Sequence, residues 1–231
     1  MLPSSTSVDR CEVTCRHLLV CADVYYSCAM DEPLPTTARL AASQVGAFFR
    51  PRDVEPFGVT FRQLQRLVAA GGVEKVGRGV YRFSEFEPTE LETVAMVAAA
   101  SPKAIVCLLT ALRVHDLGTQ SPHQVWLAID RKARIPTRLP AKVRTVRFSG
   151  PMLTYGVVTQ LMQGVAVRIT SPARTVVDCF RYRNKIGLDV AMEALRDAVH
   201  SRKALVSEIN RAADACRIRT VIGPYLDALS A

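Results

Sequence analysis

Arg62, Gln63, Gln65 and Arg66 crowd into one short stretch, TFRQLQRLVAA, and their side chains are well suited to reading the edges of base pairs. A guanidinium can donate two parallel hydrogen bonds to guanine, and a carboxamide can pair in the same bidentate way with adenine. Lys75, Arg78 and Arg82 follow in GGVEKVGRGVYRF. Cations spaced along a short hairpin suit phosphate oxygens or an adjacent minor groove. Rival chemistries are thin. The sequence has no G-x-x-x-x-G-K-[ST] and no H-E-x-x-H, and none of its four histidines pairs with another at metal spacing. Glu74-Lys75 lacks the upstream Pro-Asp of a nuclease site, and His115-Asp116 reads as a capping or surface pair before half of a catalytic one. Cys107, Cys179 and Cys216 sit in apolar contexts as core thiols. No catalytic residue, cofactor or metal is expected, and the chain is read as a non-enzyme.

Those basic residues need elements to position them. Thr60 is placed to cap a helix and is counted with the DNA-contacting set. At about 100° per residue, Phe61, Leu64, Leu67 and Val68 gather on one arc of that helix, and Arg62, Gln63, Gln65 and Arg66 fill the other. Gly71 and Gly72 stop it. Strands over Val73–Val76 and Val80–Phe83 follow, joined through Gly77-Arg78-Gly79, where glycine supplies the positive φ of a tight turn. Upstream, Thr37–Gln44 and Arg52–Phe57 read as short helices, the second closed by Gly58. Helix, helix, turn, helix and hairpin in that order predict a winged helix-turn-helix over residues 37–84, with its third helix sized for a major groove.

Residues 85–231 read as a mixed α/β unit, so the fold class is α+β: an N-terminal winged helix-turn-helix followed by a mixed α/β C-terminal domain. A capping box at Thr89 and Glu92 predicts a helix ending near Ala100. AIVCLLTALRVHDLG is either a strand passing into a helix or one helix ending at Gly118, and HQVWLAID is a buried strand. TYGVVTQLMQGVAVRIT predicts two more strands. In SPARTVVD, Ser171 caps a helix, Pro172 opens it, and Arg174 pairs with Asp178 at i, i+4. LDVAMEALRDAVHS and LVSEINRAADAC are amphipathic helices.

The net charge is +9, and it is unevenly spread. Residues 36–84 carry eight Lys and Arg against three Asp and Glu, residues 85–100 carry four acidic residues and no basic one, and residues 101–150 carry nine against two. Two basic blocks suggest a surface that meets a polyanion. The densest block holds Arg131, Lys132, Arg134, Arg138, Lys142, Arg144 and Arg147, a proline-punctuated loop running into a strand and a candidate surface for a partner. Apolar runs fall short of the roughly 18 residues of a membrane span. The opening segment lacks the basic start of a signal peptide, so a cytoplasmic location is expected. Cys11, Cys15, Cys21, Cys28 and His17 match no common zinc module. Residues 1–36 are read as a leader, disordered or not native, with Met30 as a true start.

RQLQRLVAAGGVEKVGRGVYRF, followed by AIVCLLTALRVHDLG, VWLAID and TSPARTVVDCFRYRNKIGLDVAMEALRDA, resembles the AbiEi-type antitoxins of type IV toxin–antitoxin systems. The resemblance runs from about Thr37 to the C-terminus, and residues 1–29 have no counterpart in it. It implies a bacterial regulator whose winged helix represses its own operon at inverted repeats in promoter DNA. It also implies a C-terminal domain that neutralises a nucleotidyltransferase-like toxin encoded alongside, with or without direct contact. The other reading of the residues is a winged-helix module that docks a protein or RNA without operator specificity.

Overall fold

The computed structural model describes residues 34–230. Residues 1–33, with Met30 and the cysteine cluster around His17, lie outside the described residues, whereas the last residues assigned to the leader join the domain: Leu34 packs on its core and Thr36 opens the first helix. The chain is mixed α+β, with two sheets and helices packed on both.

Helix α1 (Thr36–Val45) buries Ala38, Ala41 and Ala42. Methyl-sized side chains let it lie close against α2 (Pro51–Val54) and the 3-10 turn at Glu55–Phe57, which Gly58 closes in the left-handed conformation, φ 83°. After α3 (Phe61–Ala69), strands β2 (Val73–Gly77) and β3 (Val80–Phe83) form the hairpin. The two-residue strand β1 (Phe48–Phe49) pairs with the other side of β3, so β3 is central in the order β1-β3-β2. Successive strand residues point to opposite faces. Phe49 therefore stacks on Phe83 at 4.3 Å within the core beneath α1 and α3, whereas Phe48 packs into a second core on the far side.

That second core surrounds α4 (Glu92–Ala100), ETVAMVAAA, which is apolar almost all round as a helix buried on several sides must be. It lies between β1 and β3 on one side and the larger sheet on the other. The predicted Thr89–Glu92 capping box does not form. Leu91 is the N-cap with no side-chain cap, Thr89 lies in the preceding turn, and the Glu92 carboxylate is drawn to Arg82 at 3.5 Å. An ion pair across the junction outcompetes a local cap.

The larger sheet contains β4 (Ile105–Val106), β5 (Val125–Asp130), β6 (Val143–Phe148), β7 (Val157–Met162) and β8 (Val165–Thr170), in the order β6-β5-β4-β8-β7. Of the two readings of AIVCLLTALRVHDLG, the strand passing into a helix is the one observed, with α5 at Leu108–Val114. In β5, Val125, Leu127 and Ile129 face α4, and Trp126 and Ala128 face the opposite core. Both faces are covered, so the strand reads as a continuous apolar run. The opposite core is closed by α6 (Pro172–Arg181), α8 (Leu188–His200), α9 (Val206–Ala215) and α10 (Arg219–Ser230), with the single turn α7 (Arg183–Ile186) between α6 and α8.

The SPARTVVD segment forms α6, with Ser171 accepting from the amide of Arg174 and Pro172 in the first turn. Arg174 and Asp178 pair at 3.0 Å, both side chains fully buried. The guanidinium also donates to the carbonyls of Tyr155 and Met152 and lies 5.1 Å from the Phe148 ring centre. One side chain thus ties the β6–β7 connection to the helix. Gly156 is required there, because a Cβ would stand 2.8 Å from Arg174 Cβ. Burial raises the Asp178 pKa to about 6, more than the neighbouring guanidinium lowers it.

Two chain reversals lock the halves of the molecule together. Gln163 and Gly164, both with positive φ, turn β7 into β8, and Gly46 lies directly on that turn. A Cβ on Gly46 would sit 2.4 Å from the Gly164 carbonyl carbon. The Ala47 amide donates to the Gln163 carbonyl at 2.7 Å, and the Gln163 amide group to the Glu87 carbonyl at 2.8 Å.

Candidate nucleic-acid interface

Thr60 is extended and ends its turn as the N-cap of α3. Its hydroxyl oxygen faces the Gln63 amide at 3.3 Å, while Gln63 Oε1 accepts from the Thr60 amide at 2.8 Å and its hydroxyl at 2.9 Å. This reciprocal box satisfies amides that a helix start leaves unpaired. Thr60 and Gln63, counted from sequence among the base-reading residues, therefore spend their oxygens on the helix. The Gln63 NH2 group remains a donor.

Leu64 and Leu67 are buried in the core beneath α3, and Val68 is half-buried. Arg62, Gln65 and Arg66 are exposed on the opposite arc, with small Ala69 between them on the wheel. Phe61 departs from the expected apolar arc: it is 63% exposed. It occupies the first turn, and side chains of a helix lean toward its N-terminus, which carries this ring past the edge of the core. An exposed ring beside Arg62 and Gln65 is apolar surface of the kind that meets a thymine methyl. The residue was legible in the sequence, but its facing was not.

In the hairpin, Lys75 and Arg78 are exposed and have no side-chain partner among the described residues. Arg82 is different and corrects the sequence reading. On central strand β3 it stands opposite Phe48 on one side and Glu74 on the other. Directly opposed residues share a face, so Arg82 faces α4 with Phe48 instead of facing outward. Its side chain is 15% exposed, donates to the Phe86 carbonyl, and lies 4.0 Å from Glu74 and 3.5 Å from Glu92. It joins the small sheet to the start of α4 and presents no free guanidinium.

The two glycines of the turn also divide their tasks. Gly79 takes the positive φ, 69°, as expected. Gly77 lies at the end of β2, beyond a register shift after Lys75, and is required for space: a Cβ there would come 2.9 Å from Cβ of Pro140.

The basic segment splits likewise. Arg131, Lys132, Arg134, Arg138 and Lys142 are exposed, with no ion pair among the described residues. Arg147 instead folds back to donate to the carbonyls of Asp130, Arg131 and Ala133, holding the start of the loop. Arg144 lies over the Trp126 ring, 4.6 Å from its centre. Both are structural cations in a segment that reads as uniform charge.

His115 and Asp116 hold the end of α5. His115 Nε2 lies 2.6 Å from the Thr170 carbonyl, and Lys203 donates to the His115 and Asp116 carbonyls and to the Asp116 carboxylate. Burial lowers the His115 pKa and raises the thiol pKa values of Cys107, Cys179 and Cys216. Among the described residues no group of three or more His, Cys, Asp and Glu is arranged to hold a metal. No helix among them is long and apolar enough to cross a membrane.

The segment thus sets a helix with an exposed Arg/Gln arc before a hairpin with exposed cations. Over residues 37–84 the chain matches the family described as "Transcriptional regulator, AbiEi antitoxin". No curated protein matches the sequence. Among solved structures, the Rv2827c protein from Mycobacterium tuberculosis shares the fold with a TM-score of 0.52 at 13% identity, over 80% of this chain and 73% of that one.

Proposed function

We propose that residues 37–84 are a winged helix-turn-helix that binds promoter DNA at inverted repeats and represses its own operon. Residues 85–231 then form the antitoxin domain, and the protein neutralises a nucleotidyltransferase-like toxin encoded alongside it without catalysing a reaction itself. The observation that carries the reading is the outward arc of α3. Arg62, Gln65 and Arg66 are exposed side by side on a helix held rigidly by its cap and by Leu64 and Leu67. The family match over the same residues supports it. With α3 in a major groove, Arg62, Gln65 and Arg66 address base edges and Phe61 adds apolar contact, while Lys75 and Arg78 take phosphates.

The test is a gel shift on the promoter fragment with the full chain. Arg62→Ala and Arg66→Ala should each weaken operator binding by about 1–3 kcal/mol and narrow its margin over scrambled DNA. Arg78→Ala should weaken all duplexes evenly and flatten the salt dependence. An unchanged shift for the Arg62/Arg66 double variant would overturn the assignment. Co-expressed with the toxin, that double variant should still rescue growth, because protection is assigned to the other domain.

A further inference from the structure

Between Arg147 and Arg168 the chain holds no charged residue, in a protein whose net charge is +9. That stretch includes β7, an outer strand of the larger sheet. Its apolar side chains Val158 and Leu161 are 40% and 76% exposed, and Leu161 is the most exposed large hydrophobic among the described residues. The opposite outer strand, β6, carries exposed Arg144 and Arg147. Charges of that kind keep an edge from pairing with another chain, and β7 has none.

The backbone of β7 has a defined free side. The two-residue turn Gln163-Gly164 makes Met162 and Val165 the first hydrogen-bonded pair of the hairpin, and such pairs recur at every second residue. The Ser171 amide donates to the Gly156 carbonyl at 2.7 Å, in the same phase. Val158 and Gln160 therefore turn their amides and carbonyls to β8, and Thr159 and Leu161 turn theirs outward. Among the described residues no hydrogen bond reaches those outward groups. Arg168, opposite Thr159, spends its guanidinium on the Lys103 and Leu153 carbonyls.

We infer that β7 is where two copies of this chain join, antiparallel across a two-fold axis at Gln160, so that the larger sheet runs on through both. In that register Thr159 of each copy lies opposite Leu161 of the other. Every outward amide and carbonyl of the two residues then finds a partner, about four hydrogen bonds in all. The facing Thr159 covers the Leu161 side chain, and the two Gln160 carboxamides, each donor and acceptor, meet at the axis. A second copy is the fitting occupant because the edge is self-complementary, as a two-fold interface must be. Charge gives a second reason. A protein of net charge +9 repels a copy of itself, and that repulsion is least across an uncharged strip. A single strand pair is a small interface, so the association is weak in free solution. The Ala47–Gln163 hydrogen bond and the Gly46–Gly164 contact tie the end of β7 to the small sheet, so this pairing also sets the separation of two α3 helices.

Sedimentation equilibrium of the full-length protein, carried to submillimolar concentration, should show a reversible monomer–dimer equilibrium without any DNA present. Leu161→Lys puts a charge on the pairing edge and should weaken it by about tenfold or more. Thr159→Pro removes one outward donor per copy, at a place where an edge strand tolerates proline, and should weaken it by a similar factor of about ten. Ser207→Lys adds the same charge at an exposed position of α9 and should leave the equilibrium unchanged. A wild-type protein that stays monomeric throughout overturns the inference, and so do edge variants that keep the wild-type circular dichroism and still dimerise as it does. A monomeric wild type whose binding to the toxin is lost in Leu161→Lys would overturn it too, and would assign the edge to that partner. On a duplex carrying both repeats, where two bound copies meet at an effective concentration on the order of millimolar, Leu161→Lys should abolish cooperativity and leave half-site affinity intact. Equal cooperativity in both proteins overturns the inference. A protein that dimerises through β7 but binds no duplex overturns the DNA reading alone.

Discussion

The arginines of α3 and the arginine of α6 are the same side chain put to opposite uses. Arg62 and Arg66 are exposed, and their charge is available to a partner. Arg174 is wholly buried, tied to Asp178, to two carbonyls and to the Phe148 ring. Exposed cations cost little to the fold and add little to it, because water already solvates them. A buried cation is tolerable only while its partners remain, since an uncompensated charge in the interior is expensive. The lesson is that basic residues in this chain divide by what they touch: Arg82, Arg144 and Arg147, the last two still exposed, are engaged by carboxylates, a ring or carbonyls as Arg174 is, whereas Arg78 and Arg138 side with α3.

The contrast can be broken most severely from the buried side. Asp178→Ala should cost about 3–5 kcal/mol in urea unfolding, because it strands Arg174. The Arg62/Arg66 double variant should move that stability by less than about 0.5 kcal/mol. The pair also has a pH signature. Asp178 has a folded pKa raised to about 6, above the unfolded value near 3.9, so its contribution is fully present below about pH 4 and is lost as pH rises through 6. Asp178→Asn should remove that component from the pH dependence of the urea midpoint. A component of opposite sign would mean that Arg174 dominates burial.

A second break lies at the junction. Gly46→Ala places a methyl against the backbone of Gly164 at φ 80° and should cost on the order of 3 kcal/mol, since neither backbone can yield without losing the Ala47–Gln163 hydrogen bond. Gly79→Ala, also at positive φ but with open space around it, should cost about 1 kcal/mol. Equal losses at the two sites would remove the close approach as the cause. The smallest effect belongs to the cap. Thr60→Ala should lower thermal stability by about 1 kcal/mol. If it also changes DNA affinity at temperatures where the protein is fully folded, Thr60 contacts the duplex as well as the helix.

Much of this fold was legible because its signals are local. Thr60 as a cap, Gly58 as a stop, Ser171-Pro172 as a helix start and the Gly77–Gly79 turn each depend on a few neighbouring residues. The Thr89–Glu92 cap was misread because Glu92 finds Arg82, a partner from another element. Phe61 was misread because the wheel gives an angle and not the depth of the core at the first turn. Arg82 and Arg147 looked like unpartnered charge because nothing in their neighbours in sequence announces the acids and carbonyls that engage them.

Sequence by itself determined the helix-helix-hairpin order of residues 37–84, most of the amphipathic split of α3, the i, i+4 pairing of Arg174 with Asp178 and the two basic blocks, since periodicity, capping and composition act over short stretches of chain; the strand Phe48–Phe49 and the helix Arg219–Ser230 were not legible. Only the tertiary structure decided which cations are free. It put Arg82 on the inner face of a central strand, buried the α6 pair completely, and brought Pro140 against Gly77 so that the two basic blocks meet. Desolvation and close approach depend on residues distant in sequence, and a charge does not reveal its partner until the chain has closed around it.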